Sequence, residues 1–221
     1  MELKMNNRCT IAFDLDGVLV DIVTPIKEKL ISMLDCQMLD THNYRIQTDP
    51  EISRKEIWKV FDAVFEDYKN IPIIDSAENL LEMLYKITED PVHIVTSRPI
   101  RAATVTHKLI QRFCKVPYSC IITGNSNEKL NYLNGHCYFV EDRRRTAIQL
   151  ASAGKHVFLV DQIYNRPCAG PRISRIAGVH ELIPMINYLV EFRKEQETAK
   201  IPPMFDWYQR SDNIYIQNGT R

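Results

Sequence analysis

The chain is expected to fold as a three-layer, Rossmann-like α/β core, a five-stranded parallel sheet between helices, with a small helical cap inserted after the first strand. Three observations lead there: five short apolar runs, amphipathic helical patterns between most of them, and one long stretch carrying helix signals only. Alternating strands and helices argue for parallel pairing through right-handed crossovers. A length of 221 residues suffices for one sizeable α/β domain with a modest insertion.

The strands are read at residues 9–14, 92–96, 118–123, 136–140 and 156–160. Asp75 with Glu78 offers a capping-box-like start for a helix whose Leu80, Leu81, Leu84 and Ile87 share a face. Pro99 opens another, with Ala102, Val105, Leu109 and Phe113 at helical spacing. A third runs over 143–153 and is closed by Gly154 in the C′ position, and a last amphipathic helix is expected over 184–197. Residues 21–75 break the alternation, with one helix near 25–34 and another over 53–68. The second opens on a Ser53/Glu56 capping box and carries a stripe of Ile57, Trp58, Phe61, Val64, Phe65 and Tyr68. The stripe is read as core packing, with a substrate pocket as the alternative. The expected organisation is therefore core 1–20, cap 21–75, core 76–199 and a polar, turn-rich tail 200–221.

Lys+Arg and Asp+Glu balance at 28 each, so bulk charge does not suggest a partner among polymeric nucleic acids or anionic membranes. Six cysteines are scattered without a Cys-x-x-Cys pair, and Cys9, Cys120 and Cys137 fall in apolar runs, as buried thiols do. Neither a disulfide framework nor a zinc site is expected. The first strand begins within about ten residues of the start, which leaves no room for a signal peptide. No apolar run is long enough to span a bilayer. A cytoplasmic protein is the expectation.

The chemistry concentrates in Ile11-Ala12-Phe13-Asp14-Leu15-Asp16-Gly17-Val18. A strand ends in two carboxylates one residue apart, followed by a glycine that permits a sharp turn. Strand ends are where open α/β sheets bind ligands, and two crowded acids stay ionised readily only beside a cation. An Asp nucleophile, an Asp acid/base and Mg²⁺ make this a site for phosphoryl transfer. Three further elements occur in chain order. Val95-Thr96-Ser97-Arg98 ends a strand in two hydroxyls, either phosphate donors at a helix start or simple caps. Lys129, after a turn-rich stretch, is either a cation for a phosphate or a solvated surface charge. Val140-Glu141-Asp142 ends another strand in adjacent acids.

Asp-x-Asp-Gly-Val, then Val-Thr-Ser, then Lys, then Glu-Asp resembles the four-motif order of the haloacid dehalogenase-like (HAD) hydrolases, over roughly residues 10–189. The resemblance implies strand order 5-4-1-2-3. It implies Asp14 as a nucleophile forming an aspartyl-phosphate, and Asp16 as the acid that protonates the leaving oxygen and then activates water. Thr96 and Ser97 would bind phosphoryl oxygens with Lys129 beside them. Asp14, Asp142 and the backbone carbonyl of Asp16 would hold Mg²⁺, with Glu141 either a supporting partner or a further ligand.

Within the superfamily the chain looks most like the 5′-nucleotidase group of deoxyribonucleotidase type, through the helical insert and the stretch around Val140-Glu141-Asp142-Arg143 and Val160-Asp161-Gln162-Ile163-Tyr164-Asn165. It departs where Arg98 stands between Ser97 and Pro99. That arginine either reaches a substrate phosphate or carboxylate, or points to solvent. Arg143, Arg144 and Arg145 either balance the acids or form a solvated face. The expected activity is Mg²⁺-dependent hydrolysis of a phosphomonoester, first of a nucleoside monophosphate. The alternatives are a sugar-phosphate phosphatase or phosphomutase, or a non-catalytic phosphate- or metal-binding protein. A small phosphorylated substrate is the expected partner, and a homodimer is allowed.

Overall fold

A computed structural model describes residues 10–35, 52–132, 136–166 and 168–186. The chain divides into two compact units, 1–183 and 184–221, and the sheet, the cap and the strand-end acids all belong to the first. The expected helix over 184–197 lies outside the described residues beyond Ile186, as do the tail 200–221, Cys9 and Cys36.

Six parallel strands form one sheet: β1 (Thr10–Phe13), β2 (Val92–Thr96), β3 (Tyr118–Ile122), β4 (His136–Glu141), β5 (His156–Val160) and β6 (Ile173–Ile176). Their order is β3-β2-β1-β4-β5-β6. The five expected strands keep the expected order, and the count is corrected from five to six by β6, which pairs with β5 from Val157↔Ile173 to Val160↔Ile176. Four residues long, with Ser174 and Arg175 at its centre, β6 lacks the apolar run that marks a buried strand.

The central strand β1 is apolar and buried at Ala12 and Phe13. Its register sets Phe13 opposite Ile94 of β2 and Val140 of β4. The residues that follow in all three strands therefore emerge together at the carboxyl edge. The chain moves to opposite sides of β1 to make β2 and β4, and such a reversal opens a crevice at that edge. On one face of the sheet Ala12, Val95, Phe139, Val157 and Leu159 pack with Ala147 and Leu150 of the helix α5 (Arg144–Ser152). Gly154, at φ +84°, ends α5 as expected, with Lys155 N–H donating to the Leu150 carbonyl and Gly154 N–H to that of Ala151.

The insertion carries α1 (Val23–Leu34) and α2 (Arg54–Glu66), which pack on each other. The capping box on Ser53 and Glu56 is present in full. The aromatic stripe is rotated from its expected set: Val60, Val64 and Phe65 are buried, whereas Trp58 is exposed. The chain enters and leaves this region through two hydrogen-bonded segments, with Asp21 N–H on the Pro72 carbonyl and Ile74 N–H on that of Leu19. Two further helices, α3 (Ala77–Thr88) and α4 (Ala103–Phe113), complete the crossovers on either side of β2. Ser76 rather than Asp75 caps α3, and Pro99 leads into a 3₁₀ turn over Ile100–Ala102 before α4.

Cys114 and Cys168 are buried free thiols and Cys120 is a half-buried one. Cys137, expected to be buried, is exposed on β4 and disulfide-bonded. Spacing alone does not reveal pairing between distant cysteines.

Near the amino end of β4, His136 meets His93 of β2 edge to face, with ring centroids 4.8 Å apart. Burial holds both imidazoles below their ordinary range, and His93 adds repulsion at His136. The fold therefore prefers both rings neutral, a stabilisation present above their unfolded pKa of about 6.5 and lost as pH falls below it. Between about pH 7.5 and about pH 5.5 the wild type should therefore lose stability relative to a His136→Asn protein, read as the change in the difference between their urea midpoints.

Candidate active site

The turn after β1 is built by Gly17. Its φ of +79° is in the left-handed region, and an added Cβ would lie 2.2 Å from Asp142 Oδ2. No other residue satisfies both the backbone and the close approach. The turn is closed by Leu19 N–H and Val20 N–H on the Leu15 carbonyl and by Gly17 N–H on that of Val20.

Asp14, Glu141 and Asp142 come together from β1 and β4, each offering a carboxylate oxygen within 4.8 Å of the others. All three are buried. Lys129, itself 2% exposed, places its ammonium 2.7 Å from Asp14 Oδ2 and 3.0 Å from Glu141 Oε2. Of its two expected readings, the surface one is excluded. Thr96 is also buried, but its hydroxyl accepts the Arg98 backbone N–H at 3.3 Å, and Ser97 is half-buried.

Each carboxylate has its own wiring. Asp14 Oδ1 accepts Leu15 N–H at 2.7 Å. Glu141 is used at both oxygens, by Lys129 and by Arg143 N–H at 3.1 Å, so it chiefly anchors the lysine. Asp142 Oδ2 accepts the Tyr164 hydroxyl, while its Oδ1 is buried without a hydrogen-bond partner among the described residues. The Asp16 side chain stands apart from the cluster; the residue's expected part in holding a cation is through its backbone carbonyl. Its carboxylate is held by Arg98, Nε to Oδ2 at 2.9 Å and Nη2 to Oδ1 at 2.7 Å. Arg98 is buried, not solvated. Of the three successive arginines, Arg144 and Arg145 are exposed, whereas Arg143 donates to Ser126 Oγ at 2.6 Å.

Residues 160–165 enter the family resemblance without a role of their own. Tyr164 orients Asp142, and Asn165, fully buried, donates from Nδ2 to the carbonyls of Asp142 and Val160, both at 2.7 Å. Its Oδ1 accepts from Gln162 N–H at 3.2 Å and from Arg175 Nη2 at 2.7 Å. A polar Tyr-Asn pair four and five residues past the end of β5 is the available signal.

Burial raises the pKa of Asp14 well above the ordinary carboxylate value and also raises that of Glu141, with each carboxylate's neighbours adding repulsion. Asp142 is pushed up to about 7, by burial first and by Asp14 second. The nearby carboxylates, Asp14 first, raise the Lys129 ammonium against the opposing effect of burial. Three carboxylates facing one ammonium leave a deficit of two positive charges when all are ionised (three minus one). An all-oxygen donor set, one orphaned buried oxygen and a charge deficit of two together fit a hard divalent cation such as Mg²⁺.

Because protons and a cation compete for these carboxylates, affinity should fall as Asp142 protonates below about pH 7. The rise in melting temperature on adding millimolar Mg²⁺ should accordingly be larger at about pH 8 than at about pH 6. Asn165→Ala should lower stability by about 2–4 kcal/mol, since it strands two buried carbonyls, as a urea titration would measure.

No family model matches the chain, and no curated protein matches it in sequence. Solved structures do. A predicted phosphoglycolate phosphatase from Haemophilus somnus aligns at 16% identity and TM-score 0.56, covering 82% of this chain and 99% of that one. CbbY from Rhodobacter sphaeroides, in complex with phosphate, aligns at 13% identity and TM-score 0.51, covering 78% and 95%. A HAD-superfamily hydrolase of subfamily IA from Geobacter sulfurreducens aligns at 14% identity and TM-score 0.51, covering 84% and 100%. The chain has the α/β fold of these HAD-superfamily hydrolases.

Proposed function

We propose that the protein is a Mg²⁺-dependent phosphomonoester hydrolase working through an aspartyl-phosphate on Asp14. The observation that carries this reading is the buried Asp14–Lys129–Glu141 arrangement beside Asp142, at the crevice of the sheet. A carboxylate nucleophile must meet a phosphate dianion, and the ammonium at 2.7 Å offsets that repulsion. Asp14 and Asp142 would hold the cation, which when bound further neutralises the transferring phosphoryl group.

In the first half-reaction, an Asp14 oxygen bonds to phosphorus as the bond to the leaving oxygen breaks, and Asp16, with one oxygen freed from Arg98 to carry a proton, donates that proton to the leaving oxygen. In the second, Asp16 takes a proton from water, whose oxygen bonds to phosphorus as Asp14 is released. Thr96, at the end of β2, and Ser97 directly after it would meet phosphoryl oxygens.

The favoured leaving group is a small sugar or sugar acid. The neighbours named as a predicted phosphoglycolate phosphatase and as CbbY in complex with xylulose-1,5-bisphosphate support that class.

Phosphate release should be measured with Mg²⁺ and with EDTA over sugar phosphates, phosphoglycolate and nucleoside 5′- and 3′-monophosphates. Turnover should need Mg²⁺, favour the first two classes and vanish in Asp14→Asn, which leaves the fold intact. Preference for nucleotides would restore the nucleotidase reading. Turnover by Asp14→Asn would remove the nucleophile assignment, and silence across the panel, together with no binding of beryllium fluoride, would favour a non-catalytic protein.

A further inference from the structure

The loop from β2 to α4 grips one face of the cap helix α2 with two arginines. Arg101 donates from Nε to Asp62 Oδ1 at 3.0 Å and lies over the Trp58 ring at 5.1 Å. Arg98 lies over the Phe65 ring at 4.7 Å while binding both oxygens of Asp16. Trp58, Asp62 and Phe65 are spaced i, i+4 and i+7, hence on one face of α2. The two grips differ in kind. Arg101 and Asp62 are both about half exposed, at 54% and 42%, the usual setting of a weak surface pair. The Arg98 side chain is 1% exposed, against 21% for Asp16. Its remaining donor, Nη1, reaches Thr106 Oγ1 on α4 at 3.4 Å.

A guanidinium withdrawn from water needs compensation on every side. Here Asp16 supplies the charge, Thr106 a hydroxyl, and Phe65 of the cap the π-face that covers it. Removing either Asp16 or Phe65 leaves the same cation partly uncompensated, so the two are coupled although Asp16 belongs to the turn after β1 and Phe65 to the cap.

We propose that Arg98 is a positioning residue that ties Asp16 to the seating of α2. With Phe65 on the guanidinium, both Asp16 oxygens are fixed by the fork. When α2 lifts, Arg98 is hydrated and Asp16 is released from it. The coupling rests on geometry alone, and its consequence for turnover rests on the reading of Asp16 as the acid/base.

Amide hydrogen exchange on the full chain tests the coupling without turnover. Asp16→Asn, which leaves Arg98 charged beneath Phe65, should lower protection across α2 by roughly tenfold or more, whereas Asp14→Asn should not. Adding Arg98→Met to Asp16→Asn removes the stranded charge and should restore protection. Wild-type protection in Asp16→Asn, or a double variant as loose as the single one, overturns the proposal. Should either variant fail to fold, a kinetic cycle decides. Phe65→Leu and Arg98→Lys should each lower kcat by roughly tenfold with KM little changed, and together no further, and additive losses would overturn the coupling. A wild-type protein inactive on every phosphomonoester refutes the function proposed above, while the exchange experiment still decides the coupling.

Discussion

One buried ammonium holds the centre of this molecule together. Lys129 lies among Asp14, Glu141 and Asp142, and without it three carboxylates would share a buried site with no cation from the chain. Burial and mutual repulsion raise all three carboxylates even with the lysine present. The composition of the cluster leaves it under-neutralised: one amine is enough to hold Asp14 in place, and too little to satisfy the site. That residual negative charge is what the proposed dication would offset.

Around this centre the fold acts as a frame that limits motion. Glu141 spends both oxygens on Lys129 and the start of the segment leading to α5, so the lysine is tied to the sheet rather than to solvent. Asp142 is held from the side by Tyr164 and at its carbonyl by Asn165, and one carboxylate oxygen has no hydrogen-bond partner among the described residues. Gly17 lets the turn after β1 pass against that carboxylate. Orientation of a ligand oxygen by surrounding hydrogen bonds is a general feature of cation sites, and here it comes from the loop between β5 and β6.

The cap meets the core through a different kind of contact. Arg98 and Arg101 present flat cations to aromatic rings of α2, and only Arg98 continues inward to Asp16. Such contacts tolerate small displacements of a helix better than interlocked apolar side chains do, because a ring can slide over a guanidinium without opening a cavity. A cap that closed over the proposed active site could move in that way.

Much of this was legible in the chain because it is local. The strand ending at Asp14, the glycine two positions past its loop leucine, the capping box at Ser53 and the Gly154 stop each depend on neighbours within a few residues. Edge strand β6 was not legible, since Ser174 and Arg175 give it no apolar run, and its pairing with β5 is a long-range property. The site divides the same way. By itself the sequence determined which acids and hydroxyls stand at strand ends, because strand periodicity delivers them there, and that Lys129 follows a turn-rich stretch. Tertiary structure alone decided that Lys129 is buried between Asp14 and Glu141, that Asp142 keeps one oxygen unpaired, and that Arg98 turns inward to Asp16 beneath Phe65. Those outcomes follow from which charges come to share a space without water, and that depends on distances between residues far apart along the chain.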